Sequence, residues 1–190
     1  MSELNVKIEE FQIVYKELFS FKSLYKVAHD WLYENSYRDP FNTVEGAFLE
    51  QHYIMRENGP VYDMDIVWNA QRTYKNDKFK MLLSVQYILI AGRIDERIID
   101  GKKVVGEAGE LNIFLRPSMK VDIGDWEKSL FLNRLKTRVF KDQYKEEIRE
   151  ARDYTYGKTK EFYDYLKTYL DTRAAFMHPG LLLHQPFDDV

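Results

Sequence analysis

The residue types able to do chemistry are few, and their spacing is uninviting. The four histidines are His29, His52, His178 and His184. None stands at the i, i+4 spacing that sets two imidazoles on one helix face for zinc, so each is read as packed or solvated. Asp63 and Asp65 form a D-x-D pair whose carboxylates share one face of a strand. Such a pair can hold a divalent cation between phosphates. Two acids on the wet face of a half-buried strand give the same pattern, and that reading is preferred. Arg93, Asp95, Glu96, Arg97 and Asp100 crowd charge into a short connecting segment. Paired carboxylates can trade protons, but the bracketing arginines make this a surface ion-pair cluster. There is no cysteine, which removes thiolate nucleophiles, disulfides and every Cys-ligated metal site. No phosphate-cradling glycine loop and no G-x-S-x-G elbow occurs. Gly101, Gly106 and Gly109 are assigned to hairpin loops, where glycine is common. No catalytic residue, metal ligand or cofactor is nominated, and the chain reads as non-enzymatic.

The basic residues are distributed unevenly. Between Lys128 and Lys145 stand Lys128, Arg134, Lys136, Arg138, Lys141 and Lys145 against the single acid Asp142. Arg134, Arg138, Lys141, Lys145, Arg149 and Arg152 recur at steps of three and four, which places them within an arc of roughly 80° on one helix. Asp142, Glu146, Glu150 and Asp153 make a neighbouring acidic ridge that can neutralise the second half. The candidate polyanion-binding residues are therefore Arg134, Lys136, Arg138, Lys141 and Lys145, and the partner class is RNA or the ribosome. No helix-turn-helix, RNA-recognition or KH signature accompanies them, so no DNA sequence-specific motif is expected. Overall the chain is only slightly acidic, with a formal charge of −3.

The elements that must position these residues follow from periodicity. Val6 and Ile8, then Phe11, Ile13 and Tyr15, switch from even to odd alternation, as in a strand with a bulge. Phe21, Leu24, Tyr25, Ala28, Trp31 and Leu32 make one stripe of a helix capped by Ser20, ending before Asp39-Pro40. Residues 46–123 read as antiparallel strands. Tyr62, Met64, Ile66, Trp68 and Ala70 alternate with polar residues. The stretch from Phe79 to Ile90 is apolar on both faces and predicts a central, doubly covered strand. A last strand from Leu111 to Ile123 contains Pro117, which places it at an edge or bends it there. Asn58-Gly59-Pro60, Lys75-Asn76-Asp77 and Asp100-Gly101 mark hairpin turns. From Asp125 the period becomes helical, with Gly157 separating one long helix from another that ends before Pro179-Gly180.

A chain of 190 residues with 45% hydrophobic and 31% charged residues suits a single soluble domain. It shows no secretory signal and no apolar run near the ~20 residues a membrane span needs, so a cytoplasmic protein is expected. The predicted fold is α+β: an antiparallel, curved sheet of four to six strands with an N-terminal helix and long C-terminal helices. The element order is similar to a helix-grip arrangement, which carries no function by itself. Residues 178–190 form an extended apolar tail in which Leu181, Leu182, Leu183 and Phe187 are candidate protein-interface residues. With an edge strand, that tail favours a homo-oligomer.

The string FKSLYKVAHDWLYENSYRDP, the IVW strand, the turn DGKKV, GELNI and the DWEKS entry to the basic helices are together similar to an uncharacterised family of archaeal proteins. The resemblance covers most of the chain and implies a cytoplasmic protein; it assigns no residue a role. The function expected from the residues is a binding or assembly protein that docks RNA or the ribosome through the basic ridge. The alternatives are a carrier of a small apolar ligand in a cavity lined by Trp68, Tyr87 and Leu115, and a structural homo-oligomer.

Overall fold

The computed structural model describes residues 3–40, 49–75, 78–99, 102–122 and 145–172. In chain order these form β1 (Glu3–Lys7), β2 (Phe11–Tyr15), α1 (Phe21–Glu34), β3 (Glu50–Asn58), β4 (Val61–Tyr74), β5 (Phe79–Ile99), β6 (Lys102–Asp122) and α2 (Lys145–Asp171). The fold is α+β, with one antiparallel six-stranded sheet, one N-terminal helix and one long C-terminal helix. The strand order is β1-β6-β5-β4-β3, β2 also pairs with β6, and the sheet does not close.

Tight turns set the register. Asn58 pairs with Val61 across Gly59-Pro60, and Gly59 takes φ 67, which glycine adopts without a Cβ penalty. Ile99 pairs with Lys102, so Asp100-Gly101 is a two-residue link, itself outside the described residues. The resulting rows cross three strands. Trp68 lies beside Val85 and Leu115, Ile66 beside Tyr87 and Ile113, and Met64 beside Leu89 and Leu111. Every one of these side chains is buried, because period-two alternation sends all of them to one face.

Both helices cover that face. The stripe Phe21, Leu24, Ala28 and Leu32 of α1 is buried, and the neighbouring Tyr25 ring meets Trp68 edge-on at 4.5 Å. Ser20 caps α1, its side chain accepting from the Ser23 N–H. The buried stripe of α2 is Ala151, Thr155, Thr159, Phe162, Leu166 and Leu170. Its two threonine hydroxyls donate one turn back, to the carbonyls of Ala151 at 2.7 Å and Thr155 at 2.9 Å, so no bare hydroxyl enters the core. Trp31 stacks on Phe162 at 4.7 Å and joins the helices.

Four local expectations meet their test here. The even-to-odd switch near the N-terminus is real. From Lys7, opposite Ser118, to Phe11, opposite Leu115, the chain takes four steps against three on β6, and the extra residue splits the strand in two. Of the two expectations for Pro117, an edge strand or a bend, the first fails: β6 lies inside the sheet and pairs through Pro117 with Leu83 of β5. The proline lies opposite that split, where neither β1 nor β2 pairs with β6, so its missing N–H costs no ladder bond there. The strand β5 is central, but the described helices cover only one of its faces; Ile90 on the other is 48% exposed. Gly157 does not divide two helices, since it lies inside the unbroken α2. Burial of Phe162, Leu166 and Leu170 contributes roughly 2 kcal/mol each, which outweighs the ~1 kcal/mol that a mid-helix glycine costs. Gly106 and Gly109 also differ from expectation, since they lie within β6 and not in loops. A Cβ at Gly106 would stand 2.8 Å from the Phe19 carbonyl oxygen, so close backbone approach explains that glycine.

A Cβ added at Gly157 would meet nothing within 4 Å. Gly157→Ala should therefore stabilise the fold by about 0.5–1 kcal/mol, read as a raised urea midpoint with unchanged slope. A lowered midpoint would mean that α2 needs the glycine for a bend.

Candidate anion-binding face

The outer face of the sheet carries the residues out of phase with the core rows. Along β6 these are Asn112, Phe114, Arg116, Ser118 and Lys120. Along β5 they are Lys80, Leu82, Ser84, Gln86 and Ile88, and along β4 Asp63, Asp65, Val67, Asn69 and Gln71. Apart from Asn112 they are half-buried or exposed.

Charge is sorted along this face. At one end a depression of about 450 Å³ is lined by the cations Lys80, Arg116 and Lys120 together with Asn69, Gln71, Ser84 and Ser118. No carboxylate is among its lining residues. Lys80 and Lys120 are direct register partners, and like charges placed opposite one another destabilise a sheet. A second depression of about 400 Å³ adjoins it at Pro40 and Gln71 and adds Arg38 and Arg72 beside the acid Asp39. Arg38 is fixed there, donating to the carbonyls of Tyr33 at 3.0 Å and Tyr37 at 2.8 Å. The acids Asp63 and Asp65 occupy the opposite end.

Arg116 is held by a polar chain that crosses the sheet. Asp65 accepts from Gln86 Nε2 at 2.8 Å, and Gln86 Oε1 accepts from Arg116 Nη1 at 2.8 Å. Arg116 Nε lies 3.3 Å from Glu10. Its guanidinium stands 5.0 Å from the Phe114 ring centroid. The D-x-D pair is thereby explained without a metal. Asp65 anchors Gln86, and Asp63 accepts from the N–H of Ala91 at 2.8 Å, where that residue takes φ 52 at a bulge in β5. Among the described residues no three His, Asp or Glu side chains converge as a metal site would require.

The most perturbed carboxyl lies on the inner face, at the start of α1. Phe19 and Glu107 exchange backbone bonds at 3.0 and 2.7 Å. The Glu107 carboxylate then accepts from the Phe21 N–H and, at 3.2 Å, from the Tyr62 hydroxyl. Burial pushes Glu107 up to about 7, and its two hydrogen bonds pull the other way. Nearby, Tyr25 donates to Glu50 at 2.5 Å and accepts from Trp68 Nε1 at 3.3 Å; burial and then Glu50 raise its phenol above the ordinary range. The Tyr87 hydroxyl is buried and has no hydrogen-bond partner among the described residues. Glu107 is only 1% exposed, and its contacts latch α1 to the sheet.

Among the candidates from sequence, Arg134, Lys136, Arg138 and Lys141 lie outside the described residues, as do Leu181, Leu182, Leu183 and Phe187 and the histidines His178 and His184. Lys145 is exposed at the start of α2, beside Glu146 and Glu147. Further along the ridge, Arg149 lies 4.0 Å from Asp153, one of the pairings expected to neutralise its second half. The ion-pair cluster near Arg93 sits within β5 and not in a connection, with Glu96 bridged to Lys103 at 2.7 Å. His29 is half-buried against Trp68 and Tyr33, and His52 is exposed on β3. Lys80, Arg116 and Lys120 escaped notice in the sequence, although each occupies an outward position of a strand that was read. Only the register of the β5–β6 hairpin brings them together. No described helix is long and apolar enough to cross a membrane. Comparison with protein-family models, curated proteins and solved structures finds no match to this chain.

Two tests follow from the inner face. Between pH 4.5 and 7 the folded chain holds the Glu107 proton while the unfolded chain has released it. Stability should therefore fall as pH rises through that window and level off above it, by at most roughly 3 kcal/mol. Glu107→Gln should flatten this slope in urea unfolding at pH 5 and pH 8; an unchanged slope would assign it to other groups. Tyr87→Phe removes a hydroxyl without a partner, so it should leave the melting temperature unchanged or raised. A clear drop would point to a buried water held by that hydroxyl.

Proposed function

We propose that the chain is a non-enzymatic docking protein that binds a polyanion, RNA or the RNA of the ribosome, on the open face of its sheet. One observation carries the reading: a concavity whose described lining residues include Lys80, Arg116 and Lys120 and no carboxylate, with Glu10 paired to Arg116 beside it, on a face that no described helix covers. Cations gathered in a recess attract phosphates and release their condensed counterions. The basic segment with Arg134, Lys136, Arg138 and Lys141 would widen the same electrostatic footprint, and the apolar tail would serve protein contacts. The carrier alternative draws less support. Trp68, Tyr87 and Leu115 belong to one packed core cluster, and α1 rings stand 4.5 to 5.8 Å from the first two. Self-association gains some support from Ile94 and Ile98, 46% and 80% exposed on the β5–β6 ribbon, which runs beyond the end of β4.

The test is co-sedimentation with ribosomes and total RNA across a salt series. Wild-type binding should weaken steeply with salt. In Lys80→Glu/Lys120→Glu the log–log salt slope should fall by about two. A separate variant with Glu at 134, 136, 138 and 141 reports the contribution of the basic segment. Salt-independent binding, or none at low salt, would sink the proposal.

A further inference from the structure

We infer that the polyanion is taken as a single strand of nucleic acid, one base stacking on Phe114 while the phosphates follow β6 past Arg116 towards Lys120. This rests on the polyanion reading above and specifies its substrate class.

Phe114, Arg116, Ser118 and Lys120 are successive outward residues of one strand, so they read ring, cation, hydroxyl, cation along a line. Alternate residues of a strand stand about 6.8 Å apart, a spacing comparable to one nucleotide step in an extended single strand. Lys80 lies beside Lys120 in register and thickens the line at one end without starting a second row. A duplex offers two phosphate rows across a groove, which a single row of cations does not match.

Phe114 is half-buried, and the Arg116 guanidinium lies over its ring, 5.0 Å from the centroid. A guanidinium layered on a ring makes a flat surface on an open sheet face; bases stack on both kinds of plane, and stacking tolerates any sequence. Phe114 is also flanked in register by two carboxamides, Gln86 on β5 and Gln12 on β2. Gln86 already donates to Asp65 and accepts from Arg116, and Gln12 donates to Asn112, so a base edge meets only the second N–H and second lone pair of each amide. Glu10 beside Arg116 and Asp65 beside Gln86 hold these groups in place.

Asp63, Asp65 and Glu110 lie towards the other end of the face, and Glu110 is bridged to Lys16 at 2.8 Å. Phosphates on that side would meet several carboxylates. Towards Lys120 the row passes Glu10, whose charge Arg116 already meets, so the strand leaves the ring in that direction.

The experiment uses the full chain and three probes: a labelled 12-residue oligouridylate, an RNA duplex of the same length, and inorganic polyphosphate. Two variants accompany wild type. Phe114→Leu keeps apolar bulk and removes the ring, and Phe114→Trp keeps a stacking surface. Oligouridylate should bind at least tenfold more tightly than the duplex. Phe114→Leu should weaken oligouridylate about tenfold, the lower part of the range for loss of one stacked base, and leave polyphosphate unchanged. Phe114→Trp should restore binding, with new indole fluorescence quenched by oligouridylate relative to the wild-type spectrum. If Phe114→Leu does not fold, the quenching and affinity of Phe114→Trp carry the test. Equal binding of duplex and oligouridylate, or an unquenched Phe114→Trp, would overturn the single-strand inference while leaving the polyanion reading in place. Failure of all three probes at low salt would remove both.

Discussion

Everything in this molecule depends on the register between β5 and β6. The two strands pair from Phe79–Val121 to Ile99–Lys102, with one bulge between Ile90 and Arg93. A slip of β6 by one residue against β5 would send Ile113 and Leu115 out to solvent and bring Arg116 and Lys120 into the core. Taking those two charges out of water would cost far more than any loop adjustment could return. One register therefore satisfies both faces, and the same choice that builds the core also assembles the cationic recess. The site is the reverse side of the hydrophobic core.

The α1 helix is fastened to this sheet by polar contacts as well as by packing. Its first turn leaves backbone N–H groups without helical partners. Ser20 meets one and the Glu107 carboxylate another. A carboxylate at a helix N-terminus is favoured by the helix dipole, but burial of Glu107 opposes its charge. The balance leaves this latch partly protonated near neutrality, at the cost of a pH-dependent term in stability. At its other end, α1 meets α2 through stacked Trp31 and Phe162, so the two helices and the inner face form one cluster of side chains.

Much of the fold was legible because its signals are local. The stripe of α1, the Ser20 cap, the alternation in β4, the two-residue hairpins and the N-terminal change of parity all follow from neighbours in sequence. Other features depend on distant partners. The place of Pro117 inside the sheet is set by the split in the N-terminal strand beside it. Gly157 stands within α2 because a long buried stripe overrides propensity. The apolar outward residues of β5 suggested a second covering layer, yet Leu82 and Ile88 are only half-buried and Ile90 is exposed. The candidate site was least legible. Lys80, Arg116 and Lys120 are scattered in sequence and look like ordinary outward residues until pairing puts them in adjacent rows. A charge cluster on one helix shows in a single line of letters, but a cluster across strands needs the register first.

The split at the N-terminus has one more consequence. A sheet that does not close has two flanks, and each is a template on which a foreign strand could grow. On one flank the chain offers only two five-residue pieces, β1 and β2, out of phase by one residue. A straight incoming strand could follow one piece and not the other. The opposite flank, β3, is one strand of nine residues with a register shift between Glu50 and His52, and it carries Glu50, Arg56 and Glu57. The molecule thus resists open-ended polymerisation by two devices, an interrupted template on one side and a charged one on the other, while its broad outer face stays free of either.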